Sequence, residues 1–157
     1  MSDKNTQIEV HTYNWGPCLI KVNILEDFRN ILLEEAKKTE MDFKGKLAGQ
    51  LASERGYSEQ QREKIIPYLS PYLGVYDEAF QRFQNKRFER KPEYTLTALW
   101  CNFQRQYEFN PPHDHDGKLS FVIYLSIPEP LKEENKKYEG RSCGPGGIQF
   151  MYGEGPR

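Results

Sequence analysis

The chain has 157 residues with 22 basic and 23 acidic side chains, a formal net charge of −1. That length suits a single domain with a buried core. Near-neutral charge gives no electrostatic case for nucleic acid or a membrane surface as partner. No apolar run approaches the roughly 20 residues a membrane span needs, and the polar N-terminus lacks the apolar centre of a signal peptide. Cys18, Cys101 and Cys143 are odd in number and form no CxxC pair. They read as reduced thiols, so a soluble protein of the cytoplasm is expected.

Two strands are expected first. Ile8-Glu-Val10 and Cys18–Ile24 carry short apolar bursts, separated by the turn residues Asn14-Trp-Gly-Pro17. From Leu25 the period becomes helical. Leu25, Phe28, Leu32 and Ala36 share one face, with Glu26 and Asp27 opening the helix and Lys37 and Lys38 closing it. Residues 41–56 are ambiguous, with a short helix expected around Lys46–Ser53 that Gly56 breaks. Ser58 and Gln61 have capping-box spacing and open a helix expected to stop at Pro67. Ser70-Pro71 reads as the start of another, whose stripe Leu73, Tyr76, Phe80 and Phe83 is expected in the core. The basic cluster Lys86–Lys91 reads as a solvated face.

After Pro92 the pattern is that of strands: Tyr94–Phe103, Leu119–Ile127 ended by Pro128, and Gly147–Tyr152. A charged, Gly-rich loop is expected at Glu129–Gly146. Helices first and strands later define an α+β arrangement, with helices on one face of an antiparallel sheet.

Two of the three histidines lie in one tripeptide, His113-Asp114-His115. Residues at i and i+2 of an extended segment project to one side, so both imidazoles can converge on a metal. The alternative is a polar turn between strands, which the preceding Pro-Pro and following Gly117 also explain. A metallo-β-lactamase pattern is disfavoured because Asp116 stands one place early and its last His is missing. A phosphohydrolase His-Asp motif belongs on helices, whereas this one lies behind two prolines.

The run Trp100-Cys-Asn102, Asn110-Pro-Pro-His113-Asp-His115 and Leu119-Ser-Phe-Val-Ile-Tyr-Leu-Ser-Ile-Pro128 resembles the double-stranded β-helix of 2-oxoglutarate- and Fe(II)-dependent oxygenases. Gly144-Pro-Gly-Gly-Ile-Gln-Phe150 is similar to the strand after it. The likeness is to small stand-alone enzymes related to prolyl hydroxylases, carried by tailed phages of marine cyanobacteria. It implies residues 1–92 as a helical support region with N-terminal strands, and 93–157 as the first part of a jelly-roll, cupin-like core, in one domain. It also implies Fe(II) with 2-oxoglutarate as cosubstrate and ascorbate as a further cofactor, in the host cytoplasm.

Carried over, His113 and His115 are the metal ligands. The usual second ligand is an acid, so His115 departs from the pattern and suits a cupin-like His-x-His site equally. Asp114 or Asp116 supplies the carboxylate in the alternative registers. If His115 is instead the first ligand, Gly117 takes the second place, as in halogenase relatives. Asn102, Ser120 and Tyr124 are the candidate cosubstrate contacts, or else ordinary sheet residues. No histidine follows His115, and no late Arg or Lys stands in the pattern that grips 2-oxoglutarate. The barrel is therefore expected to be truncated, leaving an open sheet edge through which the chain self-associates. Two functions stand: the first part of an oxygenase acting on an unidentified substrate, or a non-catalytic cupin-like module that binds metal or a partner.

Overall fold

The computed structural model describes residues 10–13, 16–43 and 49–153. Strand β1 (Val10–Tyr13) and strand β2 (Leu19–Val22) form an antiparallel hairpin in which Val10 faces Val22 and Tyr13 faces Leu19. Ile8, Asn14 and Trp15 lie outside the described residues.

Helix α1 (Glu26–Lys38) follows the expected bounds, and Phe28, Leu32 and Ala36 are buried along it. Leu25 is not part of that face. It is the N-cap, 41% exposed, and its backbone N–H donates to the Tyr72 hydroxyl at 2.8 Å.

Residues 49–53 are not helical; Lys46 to Ala48 fall outside the described residues. Gly56 closes a strand, β3 (Glu54–Gly56), rather than breaking a helix.

Helix α2 (Glu59–Gln84) opens on the expected capping box, Ser58 and Gln61 exchanging both bonds. It then runs through Pro67 and Pro71 without a break. Each proline removes one N–H, leaving the carbonyls of Glu63 and Pro67 without a helical donor. Both prolines and Glu63 are exposed, so water can serve those carbonyls. Ser70 is not a cap: its hydroxyl donates to the Ile66 carbonyl at 2.8 Å, one turn back. The buried residues of α2 are Ile65, Leu69, Tyr72, Asp77 and Ala79, whereas Leu73, Tyr76, Phe80 and Phe83 are half-buried. The prolines thus lie away from the seam against α1, where Phe28 packs on Tyr72 with ring centroids 5.4 Å apart.

Strand β4 (Trp100–Asn102) pairs antiparallel with β3, Glu54 opposite Asn102 and Gly56 opposite Trp100. The rest of Tyr94–Phe103 is not strand, although Leu99 and Phe103 bond to Tyr57 and Ser53, and among the described residues Leu119–Ile127 and Gly147–Tyr152 are not strand either. Among the described residues the sheets are two antiparallel pairs, β1–β2 and β3–β4. The expected jelly-roll strands lack neighbours to complete a ladder. Residues 122–125 nevertheless keep the side alternation of a strand: Ile123 and Leu125 pack on the core while Val122 and Tyr124 are exposed. Arg29 of α1 donates through Nε to the Leu125 carbonyl at 2.6 Å, taking a place that a neighbouring strand would fill.

The expected loop at Glu129 begins instead as helix α3 (Glu129–Lys136), capped by Pro128 with Pro130 in its first turn. It has no buried residue. The molecule is α+β, with one core of Phe28, Leu32, Ala36, Tyr57, Ile65, Leu69, Tyr72 and Leu99. No described helix is long and apolar enough to cross a membrane.

Glu35 is a buried acid between the helices, hydrogen-bonded to Lys38 at 2.9 Å and 3.6 Å from the Lys64 ammonium. The Lys38 hydrogen bond, helped by Gln61 and Lys64 and opposed by burial, holds its carboxyl below the usual range. A carboxyl lowered by folding stabilises the native state above its unfolded value, and this is lost as pH falls through the folded value. The urea midpoint should therefore drop as pH falls from just above the ordinary glutamate value of about 4.3 through the lowered folded value, and Glu35→Gln should flatten that drop while lowering stability at neutral pH. A wild-type curve no steeper than the variant's would remove Glu35 from this role. Phe28→Ala should cost about 3–5 kcal/mol and the half-buried Phe80→Ala about half as much, measured by urea unfolding.

Candidate metal centre

Alternation along β4 separates two faces. Leu99 belongs to the core and Cys101 packs against it, so Trp100 and Asn102 lie on the opposite face. Their partners Gly56 and Glu54 share that face by register. Phe43 lies over Gly56 and stacks on Trp100, with ring centroids 5.9 Å apart. A Cβ on Gly56 would stand 2.6 Å from the Phe43 ring and 3.2 Å from the Met41 sulfur, so only glycine allows this approach.

The histidines reach this face from the loop that follows β4. His115 packs on Trp100 with centroids 5.6 Å apart, and His113 meets His115 edge to face at 4.7 Å. Their Nε2 atoms are 3.1 Å apart. His113 Nδ1 lies 2.7 Å from the Pro111 carbonyl oxygen, which can only accept. That nitrogen therefore carries the proton in the neutral ring, and His113 Nε2 presents its lone pair. Without a metal, His115 Nε2–H is the donor between the rings.

This arrangement fits a metal ion. Two imidazole nitrogens at right angles on one ion, each about 2.1 Å from it, stand about 3.0 Å apart. The Pro111 carbonyl acts as the outer partner that fixes the tautomer and plane of a ligating histidine. Both rings are exposed. Among the described residues no third His, Cys, Asp or Glu joins the pair, so Asp114 and Asp116 stand outside it.

The other expected site residues divide. Asn102 is half-buried on the Trp100 face, and its side-chain oxygen is buried without a hydrogen-bond partner among the described residues. Tyr124 instead donates to the Gly146 carbonyl at 3.0 Å, with burial pushing its hydroxyl pKa up. Ser120 is exposed.

One neighbour is not evident from sequence. Glu54 is 1% exposed opposite Asn102. A Cβ on Gly49 would stand 2.2 Å from Asn110 Oδ1 and 3.0 Å from Glu54 Oε1, so Asn110 and Glu54 approach each other across Gly49. Nothing in Ser53-Glu-Arg-Gly56 marks that acid as interior, since charged residues are rarely fully buried.

Comparison with protein-family models, curated proteins and solved structures finds no match for this chain.

Gly56→Ala should push Phe43 off Trp100, cost about 1–3 kcal/mol as an overpacked site, and shift Trp100 emission in a Trp15→Phe background. Unchanged emission and stability would show that the Phe43 ring is not held there.

Proposed function

We propose that this chain belongs to an Fe(II)- and 2-oxoglutarate-dependent oxygenase of the double-stranded β-helix type, with His113 and His115 as two of its metal ligands. The observation that carries the reading is the 3.1 Å approach of the two Nε2 atoms, with the His113 lone pair directed there by the Pro111 carbonyl. The resemblance of Trp100–Pro128 to that family selects iron among the metals imidazole suits.

Within this reading the residues have distinct tasks. His113 is the preset ligand, since its tautomer is already the binding one. His115 must release its Nε2 proton to bind, and Trp100 limits the rotation of its ring. Of the three candidate contacts Asn102 is the one on the Trp100 face, and its Nδ2 amide N–H groups are the donors for a cosubstrate that carries only acceptors. Bound Fe(II) supplies O₂ activation coupled to oxidation of 2-oxoglutarate to succinate and CO₂. Ascorbate would keep the iron ferrous.

A cupin-like module that binds metal without turnover is the second reading. It is favoured by a histidine in the place where the family has an acid, and by the lack of a third ligand among the described residues.

Anaerobic Co(II) titration followed through Trp100 emission, in a Trp15→Phe background, tests both. Quenching is expected because a metal at the histidines lies within one ring of Trp100. His113→Ala should raise Kd at least about tenfold, or about 1.4 kcal/mol. His115→Asp should retain more affinity than His115→Ala. Succinate formation with Fe(II) and ascorbate separates the oxygenase from the binding module. No Co(II) binding by the parent protein would sink the metal reading.

A further inference from the structure

We infer that Glu108 is the positioning residue of the histidine pair: its carboxylate clamps the loop between β4 and His113, and two prolines carry that constraint to the imidazoles. Its consequence for metal binding rests on the proposed metal reading; the mechanical link stands on geometry alone.

Both carboxylate oxygens of Glu108 are engaged, and by different segments. Oε1 accepts from the Ala52 N–H at 2.9 Å, and Oε2 accepts from the Arg105 N–H at 2.8 Å. The side chain thus joins the base of its own turn to the segment that leads into β3. Two further bonds close the loop: Glu108 N–H donates to the Arg105 carbonyl at 3.2 Å, and Gln104 Nε2 donates to the Glu108 carbonyl at 2.6 Å.

The turn needs such a clamp. Tyr107, its third residue, has φ 66°, a left-handed conformation that this place in a type II turn usually gives to Gly or Asn. The Tyr107 ring is 91% exposed, so no packing of its own compensates. Capture of two backbone N–H groups by one carboxylate holds the turn in a shape its sequence does not favour.

Beyond Glu108 the chain has little freedom left before the site. Gln50 N–H donates to the Phe109 carbonyl at 2.9 Å, which pins the next residue to the same segment. Asn110 lies over Gly49. Pro111 and Pro112 each fix φ near −65°, and each also restricts the residue before it. The direction set at Phe109 is therefore transmitted to His113, whose Nδ1–H returns to the Pro111 carbonyl.

The test uses Glu108→Ala and Glu108→Gln in the full chain, with folding verified by circular dichroism. The first readout needs no metal: imidazole ¹⁵N–¹H correlation spectra report which ring nitrogen is protonated. The parent should show His113 as the Nδ1–H form. Glu108→Ala should show a tautomer mixture and Glu108→Gln, which keeps one acceptor oxygen, an intermediate state. The second readout is Co(II) affinity and the visible Co(II) spectrum. Kd should rise at least tenfold in Glu108→Ala, with altered band positions, and less in Glu108→Gln. A folded Glu108→Ala protein that keeps the His113 tautomer overturns the inference. A lost tautomer with no Co(II) binding even by the parent would uphold the positioning role and reject the metal reading. Should Glu108→Ala fail to fold, Glu108→Gln decides, and a parental tautomer there overturns the inference.

Discussion

Residues 49–57 are hydrogen-bonded along both edges, and the site depends on that. On one edge Phe43 donates to Glu54 and Gly56 donates to Met41. On the other, Tyr57 donates to Leu99, Phe103 donates to Ser53, and Gln50 donates to Phe109. Glu54, Gly56, Tyr57 and Leu99 are buried, and a buried backbone group without a partner costs about 1–3 kcal/mol, so the pairings at these residues are strongly held. They hold Phe43, Trp100 and the loop before the histidines against one short segment. The candidate metal centre is thus assembled from three chain regions that share a single template.

The helices hold that template from the other side. Tyr57 follows β3 directly, its ring is buried in the core, and its hydroxyl donates to the Leu32 carbonyl of α1 at 3.0 Å. Thr39, just past α1, donates through its hydroxyl to the Gly56 carbonyl. Gln61, in the first turn of α2, donates to the Glu35 carbonyl at 2.9 Å. Polar side chains at the helix ends therefore fix the sheet segment while apolar ones fill the seam. Leu99 and Cys101 complete this contact, which leaves Trp100 and Asn102 for the opposite face.

On that face an exposed histidine pair is preset by rigid neighbours rather than by burial. Pro111 supplies the acceptor for one ring and Trp100 the surface for the other. Such a pair retains access to water and to small solutes, as a centre with open coordination positions requires. Precision comes from the proline arm and from the Glu108 clamp at its base.

Local patterns determined the local elements. The Ser58/Gln61 box and the α1 stripe with its end charges were legible because each rests on contacts within a few residues, and the second strand, Leu19–Val22, lies inside the expected Cys18–Ile24. The approach of His113 and His115 was legible for the same reason, as a two-residue spacing in an extended segment behind two prolines. Tertiary structure alone decided what depends on remote partners. Pro67 and Pro71 do not end α2, because both fall on its exposed side while Ile65, Leu69 and Tyr72 stay buried. Leu119–Ile127 reads as a strand from its composition yet pairs with none among the described residues, since a strand requires a neighbour that periodicity cannot supply. Glu54 and Glu108 entered the site only through register and loop closure, which join residues about fifty positions apart by contacts that no short window of sequence contains.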